Sequence, residues 1–243
     1  CLASPTLTWP SDGDNHPTKR SAITMKSIQD FVRYAPATTR PPVRWPGGKR
    51  LAFWIVPNVE FYEYTPPPAK GRETWDRVPS HPDVREYGFR DYGNRVGLWR
   101  MFEVLDKHSV RCTVSLSMSV IEMYPEILEA MEARRWEYMS HGYFNTRYHW
   151  GYSEQEEREV IEHSKATHLR LTGRRLRGWF SPAISNTLAT PDLVKEAGLD
   201  YYCDFYHDDQ PTPLVTRHGT LIHVPYTMDL NDALIYRQPV EAE

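Results

Sequence analysis

The feature that most constrains the fold is an alternation of short apolar runs with longer helical patterns, which continues from Leu51 through the rest of the chain. A continuous apolar run of strand length is typical of a strand buried on both faces of a parallel sheet. Six such runs are present, at 51–56, 111–117, 136–139, 177–180, 201–203 and 220–225. The alternation predicts an α/β fold with a parallel sheet, and the polar clusters that end the six strands favour a (β/α) barrel over an open sheet.

The helical segments between these runs carry recognisable start signals. Ser153 followed by Glu156 forms a capping box, in which the two side chains satisfy the first turn of a helix that runs to about Leu171. Thr190 and Pro191 mark another helix start, and a third helix is predicted over 125–134. Residues 1–50 are rich in Pro, Ser and Thr and show no sustained period, so we expect a flexible tail or linker there and a single folded domain over 51–243.

Charge and composition exclude several classes of partner. The formal net charge of -3 and the pI near 6.4 give no basic face for a nucleic acid or an anionic membrane. No apolar run approaches the roughly 20 residues of a membrane span. The three cysteines, Cys1, Cys112 and Cys203, lack the spacing of a disulfide framework or a thiolate metal site. We therefore expect a cytoplasmic protein, and a homo-oligomer is compatible with the sequence.

Polar side chains follow the predicted strands at the points where those strands end. In a parallel sheet all these ends meet at one rim, where α/β folds bind their ligands. Carboxylates, imidazoles and an arginine together could supply a base for water, a cation for the developing oxyanion and an acid for a leaving nitrogen, as amide hydrolysis requires. The residues concerned are Asn58, Glu60, His141, Asn145, Arg177, Ser181, Asp204, His207, Asp208, Asp209 and His223.

Several of these residues have a structural alternative that the sequence leaves open. Arg177 could be an ion-pair partner of Asp204. The run from His207 to Pro211 could be a solvated loop. His223 lies between Ile222 and Val224 and could be a hydrogen-bonded histidine of the core.

These motifs, in this order, resemble the polysaccharide deacetylases of the NodB type, especially the branch that includes the metal-independent allantoinases. The resemblance covers about 45 to the end of the chain and rests on six motifs: Val56-Pro57-Asn58-Val59-Glu60, Tyr92-Gly93-Asn94-Arg95-Val96-Gly97, Ser140-His141-Gly142-Tyr143, Arg177-Gly178-Trp179-Phe180-Ser181-Pro182, Asp208-Asp209-Gln210-Pro211 and Ile222-His223-Val224-Pro225-Tyr226. It implies a distorted (β/α) barrel that hydrolyses a non-peptide C–N bond. Because such a barrel has about eight strands and six are predicted, we expect a barrel that is incomplete at its C-terminus.

The chemistry of the rim residues predicts a role for each of them. We expect Glu60 to act as the base toward water, His141 to donate to the oxyanion and His223 to protonate the leaving nitrogen. Arg177 is expected to orient a carboxylate of the substrate. The expected substrate-binding residues are Asn58, Asn145, Trp179, Ser181, Asp208 and Asp209.

The metal site of the family is altered in this sequence. Metal-dependent members hold a divalent ion through an aspartate after the first strand and two histidines four residues apart. Here Glu60 or Asn58 stands in the place of the acid, His141 matches the first histidine, and Asn145 replaces the second. An amide oxygen is a poor substitute for imidazole on zinc, so we expect no metal cofactor. The alternative is zinc or another divalent ion held by Glu60, His141 and His149.

Aromatic residues predict the size of the substrate. The Pro-rich excursion over 62–91 and the loop over 143–152 bring several aromatic side chains to the rim, which would narrow an open groove into a pocket. They are Trp75, Phe144, Tyr148, Trp150 and Tyr152. We therefore expect a small amide or ureide as substrate. Two alternatives stay open: a metal-dependent deacetylase of N-acetylated sugar chains, and a catalytically silent member that serves binding or assembly.

Overall fold

The computed structural model describes residues 28–67 and 82–235. The chain divides into two compact units, 1–53 and 54–243. The described part of the first unit contains three short 3₁₀ turns, Ile28–Asp30, Ala37–Thr39 and Pro46–Gly48. Trp75 and His81 of the predicted excursion lie outside the described residues.

The second unit contains one mixed sheet of seven strands. The strands are β1 (Asn58–Val59), β2 (Thr113–Leu116), β3 (Glu137–Ser140), β4 (Gly178–Trp179), β5 (Tyr201–Tyr202), β6 (Thr212–Thr216) and β7 (Gly219–His223). Their order in the sheet is β1-β2-β3-β4-β5-β7-β6, and every neighbouring pair is parallel except β6 with β7. The predicted α/β fold is thus confirmed. Over the described residues the strands form an open arc, without a β1–β6 pairing that would close the barrel.

Helices follow most of the parallel strands. They are α1 (Val84–Tyr92), α2 (Leu98–Lys107), α3 (Met118–Met123), α4 (Pro125–Ala133), α5 (Glu154–Thr172), α6 (Thr190–Glu196) and α7 (Asp232–Ile235), and a π-helical turn, Gly93–Gly97, joins α1 to α2. The predicted capping box of α5 is present: Ser153 Oγ accepts from the Glu156 N–H, and the Glu156 carboxylate accepts from the Ser153 N–H. In the described part of the chain, no helix is both long and apolar enough to cross a membrane.

Three predicted features at the level of the fold were wrong in detail. The first strand was predicted over 51–56, but Leu51 and Phe53 are 76% and 74% exposed, Ile55 forms only a single bridge to Cys112, and the strand lies at Asn58–Val59. No helix is predicted within the Pro-rich excursion over 62–91, yet most of α1 lies there. Strand β6 was missed because Pro213 lies within it, and proline is confined to the edge strands of sheets.

The core lies between the sheet and its helices. Leu116, Met139 and Tyr202 of the strands are fully buried, and so are Phe102 of α2 and Ile161 of α5. In a parallel sheet the residues that follow the strands lie together at the carboxyl edge, where α/β folds bind their ligands. The fold therefore directs the loops after β1, β3, β4 and β5 to the same edge of the sheet.

Candidate functional site

The centre of the site is a carboxylate–imidazole pair formed by Glu60 and His141. Glu60 follows β1 and His141 follows β3, and both strands pair in parallel with β2, so their carboxyl ends lie close together. His141 Nε2 lies 3.4 Å from Glu60 Oε1, and the two side chains are 4% and 20% exposed. The sequence placed both residues at this rim, and the structure brings them into contact.

The backbone around His141 fixes the orientation of its ring. The His141 Nδ1 atom lies 3.0 Å from the Phe180 carbonyl oxygen, and the imidazole stacks on the Phe180 ring with centroids 4.9 Å apart. A carbonyl can only accept, so Nδ1 carries a hydrogen and Nε2 is the atom that faces Glu60. Gly142 allows the chain to turn here, because its φ is +69° and a Cβ would lie 2.5 Å from Cγ of Pro182.

Two residues that the sequence did not single out complete the surroundings of Glu60. The Tyr62 hydroxyl contributes a hydrogen bond to Glu60 and accepts one of 2.6 Å from Asn145 Nδ2. The Arg90 guanidinium lies over the Tyr62 ring, 4.7 Å from its centroid. Tyr62 lies two residues after Glu60, which is the signal that could have identified it. Arg90 lies on α1, within the Pro-rich excursion over 62–91.

These neighbours tune the charge of Glu60. Burial alone would raise the pKa of Glu60, but the hydrogen bond and positive charge of His141, together with the charge of Arg90, lower it below its ordinary value. Burial and the Glu60 carboxylate raise the pKa of the Tyr62 hydroxyl, which therefore stays protonated. At neutral pH the site thus offers an ionised carboxylate beside hydrogen-bond donors.

The other side of the pair is closed by Asn58 and Tyr226. Asn58 Nδ2 donates to the Tyr226 hydroxyl at 3.4 Å, and the Tyr226 ring packs on Phe180 with centroids 4.6 Å apart. Asn58 is exposed. It lies where a substrate could contact it, and its role as a binding residue remains a prediction.

A cavity of about 280 Å³ opens beside Glu60 toward α1 and the π-helical turn. Asn58, Glu60, Arg90 and Asn94 give it polar walls, and Leu98 and Met101 contribute apolar ones. Asn94 Nδ2 donates to the Glu60 carbonyl oxygen at 2.9 Å, which fixes the π-helical turn against the end of β1. This hydrogen bond holds the wall formed by the π-helical turn in place beside Glu60.

The predicted aromatic pocket lies elsewhere. Tyr143, Phe144, Tyr148 and Tyr152 line a larger cavity of about 460 Å³ against α5, whose described walls do not include Glu60 or His141. Trp150 packs on Tyr148, with ring centroids 5.4 Å apart. We assign the chemistry to the smaller cavity, because Glu60 of the Glu60–His141 pair is one of its lining residues.

Arg177 does not belong to this edge of the sheet. It precedes the two-residue strand β4, so it lies at the amino end, and its Nε atom donates to Asp200 Oδ2 at 2.7 Å. Its side chain is 45% exposed. The predicted role of orienting a substrate carboxylate is wrong, and so is the alternative pairing with Asp204. Arg177 is a surface ion-pair partner of Asp200.

His223 is a hydrogen-bonded histidine of the core, which is the alternative that the sequence left open for this residue. It has no exposed surface, its Nε2 atom lies 2.5 Å from the Phe205 carbonyl oxygen, and its Nδ1 atom lies 3.5 Å from Thr212 Oγ1. Burial and the neighbouring His207 lower the pKa of His223 to about 4. At neutral pH the ring carries no acidic proton beyond the one that Phe205 accepts, so the predicted role as general acid is wrong.

Two of the predicted binding residues are buried inside the protein and do not reach a substrate. Trp179 has no exposed surface, and its Nε1 atom donates to Ser181 Oγ at 3.1 Å. Ser181 is equally buried, and its N–H donates to Asp204 Oδ1 at 2.7 Å. Neither side chain can touch a substrate at this rim. Burial raises the pKa of Asp204 to about 6.

Asp208 and Asp209 lie in the loop after β5. Asp208 Oδ1 accepts from the Gln210 N–H at 3.0 Å, which is a turn-forming contact, and Asp209 is exposed. The structure describes no contact of either residue with the Glu60–His141 pair. Their binding role stays a prediction.

The residues present do not fit a resident zinc ion. A zinc site requires three protein ligands of the Cys, His, Asp or Glu type. His149 does not join Glu60 and His141: its Nδ1 atom lies 3.5 Å from Glu157 Oε1, and its ring packs between Tyr152 and Trp179. Across 28–67 and 82–235, no three His, Cys, Asp or Glu side chains are grouped so that they could hold a metal ion. The alternative ligand set of Glu60, His141 and His149 is therefore wrong.

The fold and the pair at its rim define a class of protein, an α/β protein with a carboxylate–imidazole site at the carboxyl ends of parallel strands. Comparison with known proteins supplies the family. The model of the polysaccharide deacetylase family matches residues 89–202. A Schizosaccharomyces pombe protein assigned to the polysaccharide deacetylases is 30% identical, in an alignment that spans 81% of this chain and 68% of that protein. The chain belongs to the polysaccharide deacetylase family.

Solved structures agree with this assignment. The crystal structure of Puue allantoinase is 26% identical and superposes with a TM-score of 0.67, covering 82% of this chain and 70% of the allantoinase chain. A Pseudomonas aeruginosa PAO1 protein assigned to the polysaccharide deacetylases is 30% identical with a TM-score of 0.67, covering 81% and 69% of the two chains. The expected resemblance to this family and to its allantoinase-like members is confirmed.

Proposed function

We propose that this chain hydrolyses the C–N bond of a small amide or ureide, with Glu60 as the base. The observation that carries the proposal is the contact between Glu60 and His141 at the carboxyl edge of the sheet. A carboxylate that stays ionised beside a positioned imidazole can accept a proton from water, and the imidazole can meet the charge that develops on an amide oxygen.

In this proposal each group has one role. Glu60 takes a proton from water as the water oxygen attacks the carbonyl carbon, and the C=O electron pair moves onto the oxygen. The groups nearest to Glu60 that can donate to that oxyanion are the Tyr62 hydroxyl and His141 Nε2. His141 Nε2 donates when both ring nitrogens carry hydrogen, since Nδ1 already donates to the Phe180 carbonyl. When the C–N bond breaks, the nitrogen takes the proton that Glu60 received. The cycle leaves an acid and an amine and returns Glu60 to its carboxylate form.

A small substrate is supported by two observations. The cavity beside Glu60 measures about 280 Å³, which is at the low end of the range for small-molecule sites. The structure of Puue allantoinase is among the similar ones. Asn145 Oδ1 is buried without a hydrogen-bond partner among the described residues, but Asn145 is not among the residues that line this cavity, and its binding role stays a prediction.

The decisive experiment compares substrates and a Glu60→Gln variant. We expect hydrolysis of cyclic ureides or small N-acyl amides, and no acetate release from chitin or peptidoglycan oligomers under the same conditions. Glu60→Gln keeps the shape of the side chain but removes the base, so kcat should fall by roughly 10² to 10⁴. Glu129→Gln, at an exposed glutamate of α4, is the matched control. Normal turnover by Glu60→Gln would remove this residue from the mechanism.

The two alternative functions give different outcomes. A metal-dependent sugar deacetylase would release acetate from the oligomers and lose activity when dialysed against a chelator. A catalytically silent member would turn over none of these compounds while retaining its fold. Stoichiometric zinc that resists dialysis would contradict the proposed metal-free reaction.

A further inference from the structure

Arg90 lines the cavity beside Glu60 on a rigid support. It lies in the last turn of α1, with its guanidinium carbon 4.7 Å from the centroid of the Tyr62 ring and 5.6 Å from that of Phe89. Tyr62 is in turn fixed by the hydrogen bond from Asn145 Nδ2. A guanidinium stacked on an immobilised ring loses little further freedom when it binds a ligand.

The hydrogen-bonding capacity of Arg90 is largely unused within the described residues. A guanidinium has five N–H donors. The Nε atom of Arg90 is buried and donates no hydrogen bond to a described residue. Its nearest described carboxylate, Glu86 Oε2, lies 3.7 Å from Nε and belongs to a side chain that is 45% exposed. The side chain of Arg90 as a whole is 34% exposed and lines the cavity, so the guanidinium is accessible to a ligand there.

The lining of the cavity therefore combines two chemically distinct side chains. Glu60, in contact with His141, is the reactive group, and Arg90 is a cationic group close enough to lower the pKa of Glu60. An anionic group on the substrate would meet its counter-ion at Arg90, and it would be kept apart from the Glu60 carboxylate by the repulsion between like charges. A guanidinium binds a carboxylate, as it does a phosphate, through two parallel hydrogen bonds.

We propose that the cavity between Glu60 and α1 is a binding site for a carboxylate-bearing amide, such as an N-carbamoyl or N-acyl amino acid, whose carboxylate is bound by Arg90. The inference rests on the proposed function, since it specifies the substrate class of the same site. It replaces Arg177, at the opposite edge of the sheet, with Arg90 as the residue that recognises a carboxylate.

The test uses two probes that differ at one group, which is a carboxylate in the first and a neutral carboxamide in the second. Binding of N-carbamoylglycine and of its neutral amide, N-carbamoylglycinamide, is measured by titration calorimetry with the wild type, Arg90→Gln and Arg85→Gln. Arg85 lies on the same helix and is exposed, so it is the matched control. We expect the wild type and Arg85→Gln to prefer the acid by about tenfold, or about 1.4 kcal/mol, and Arg90→Gln to bind both probes equally. Arg90→Lys should keep part of the preference, because the charge remains but the bidentate geometry is lost.

Three results would overturn the inference: equal binding of the two probes by the wild type, an undiminished preference in folded Arg90→Gln, or no binding of either probe at millimolar concentration. Circular dichroism of each variant establishes that it is folded. The outcome is separable from the proposed function. A preference for the acid without hydrolysis of any amide would contradict the proposed hydrolase and support the carboxylate site. Hydrolysis of neutral amides without this preference would support the hydrolase and contradict the carboxylate site.

Discussion

The buried His223 makes the stability of this protein depend on pH in a way that can be calculated. Its pKa is about 4 in the folded chain because burial and His207 oppose the charged form, against an ordinary value of 6.5. Asp208 is the neighbouring charge that acts in the opposite direction. A histidine whose pKa is lowered by folding binds fewer protons in the folded state than in the unfolded state. The free energy of unfolding that the neutral ring contributes is therefore fully present above pH 6.5 and is lost as the pH falls from 6.5 through 4.

The size of the effect follows from the two pKa values. At pH 4.5 the preferential protonation of the unfolded chain costs about 2.5 kcal/mol of unfolding free energy, and at pH 7.5 it costs essentially nothing. His223→Gln removes this titration and retains a side-chain amide N–H that can donate to the Phe205 carbonyl, as Nε2 does in the wild type. A packing defect in the variant would be the same at both pH values and would cancel in the difference.

The measurement is urea-induced unfolding, followed by circular dichroism, at pH 7.5 and pH 4.5. We expect the wild type to lose about 2.5 kcal/mol more than His223→Gln between the two pH values. His218→Gln, at an exposed histidine in the turn between β6 and β7, should behave like the wild type. An equal loss in the wild type and His223→Gln would refute the assignment of His223 as a neutral core histidine.

Two further variants test the loop geometry and the corrected position of Arg177. Gly142→Ala should lower the unfolding free energy by about 1–3 kcal/mol and reduce kcat, because the new Cβ would meet Pro182 and the backbone has a left-handed φ. Gly198 is the control: its φ is also positive, but a Cβ there would have no heavy atom within 4 Å. Gly198→Ala should therefore lose less stability and keep its activity. Arg177→Gln should leave kcat/KM within threefold of the wild type and cost at most about 1 kcal/mol, since it breaks an exposed pair with Asp200, and a tenfold loss of activity would return Arg177 to the site.

The sequence by itself determined the architecture and the centre of the site. Apolar runs that alternate with helical patterns require a parallel sheet, because only a strand covered on both faces can be apolar throughout. The capping box at Ser153 was readable because its two members lie three residues apart. Glu60 and His141 could be placed together because residues that follow parallel strands meet at one edge.

The tertiary structure decided the rest, because it depends on where each strand begins and on contacts between residues distant in sequence. Apolar character cannot distinguish the start of a strand from its end, so Arg177 was assigned to the wrong edge of the two-residue strand β4. The neutral state of His223 comes from its burial against His207 and Phe205, which no local pattern reveals. The position of Arg90 over Tyr62 requires α1 to fold back onto the end of β1, and the residues that hold it there lie in separate elements.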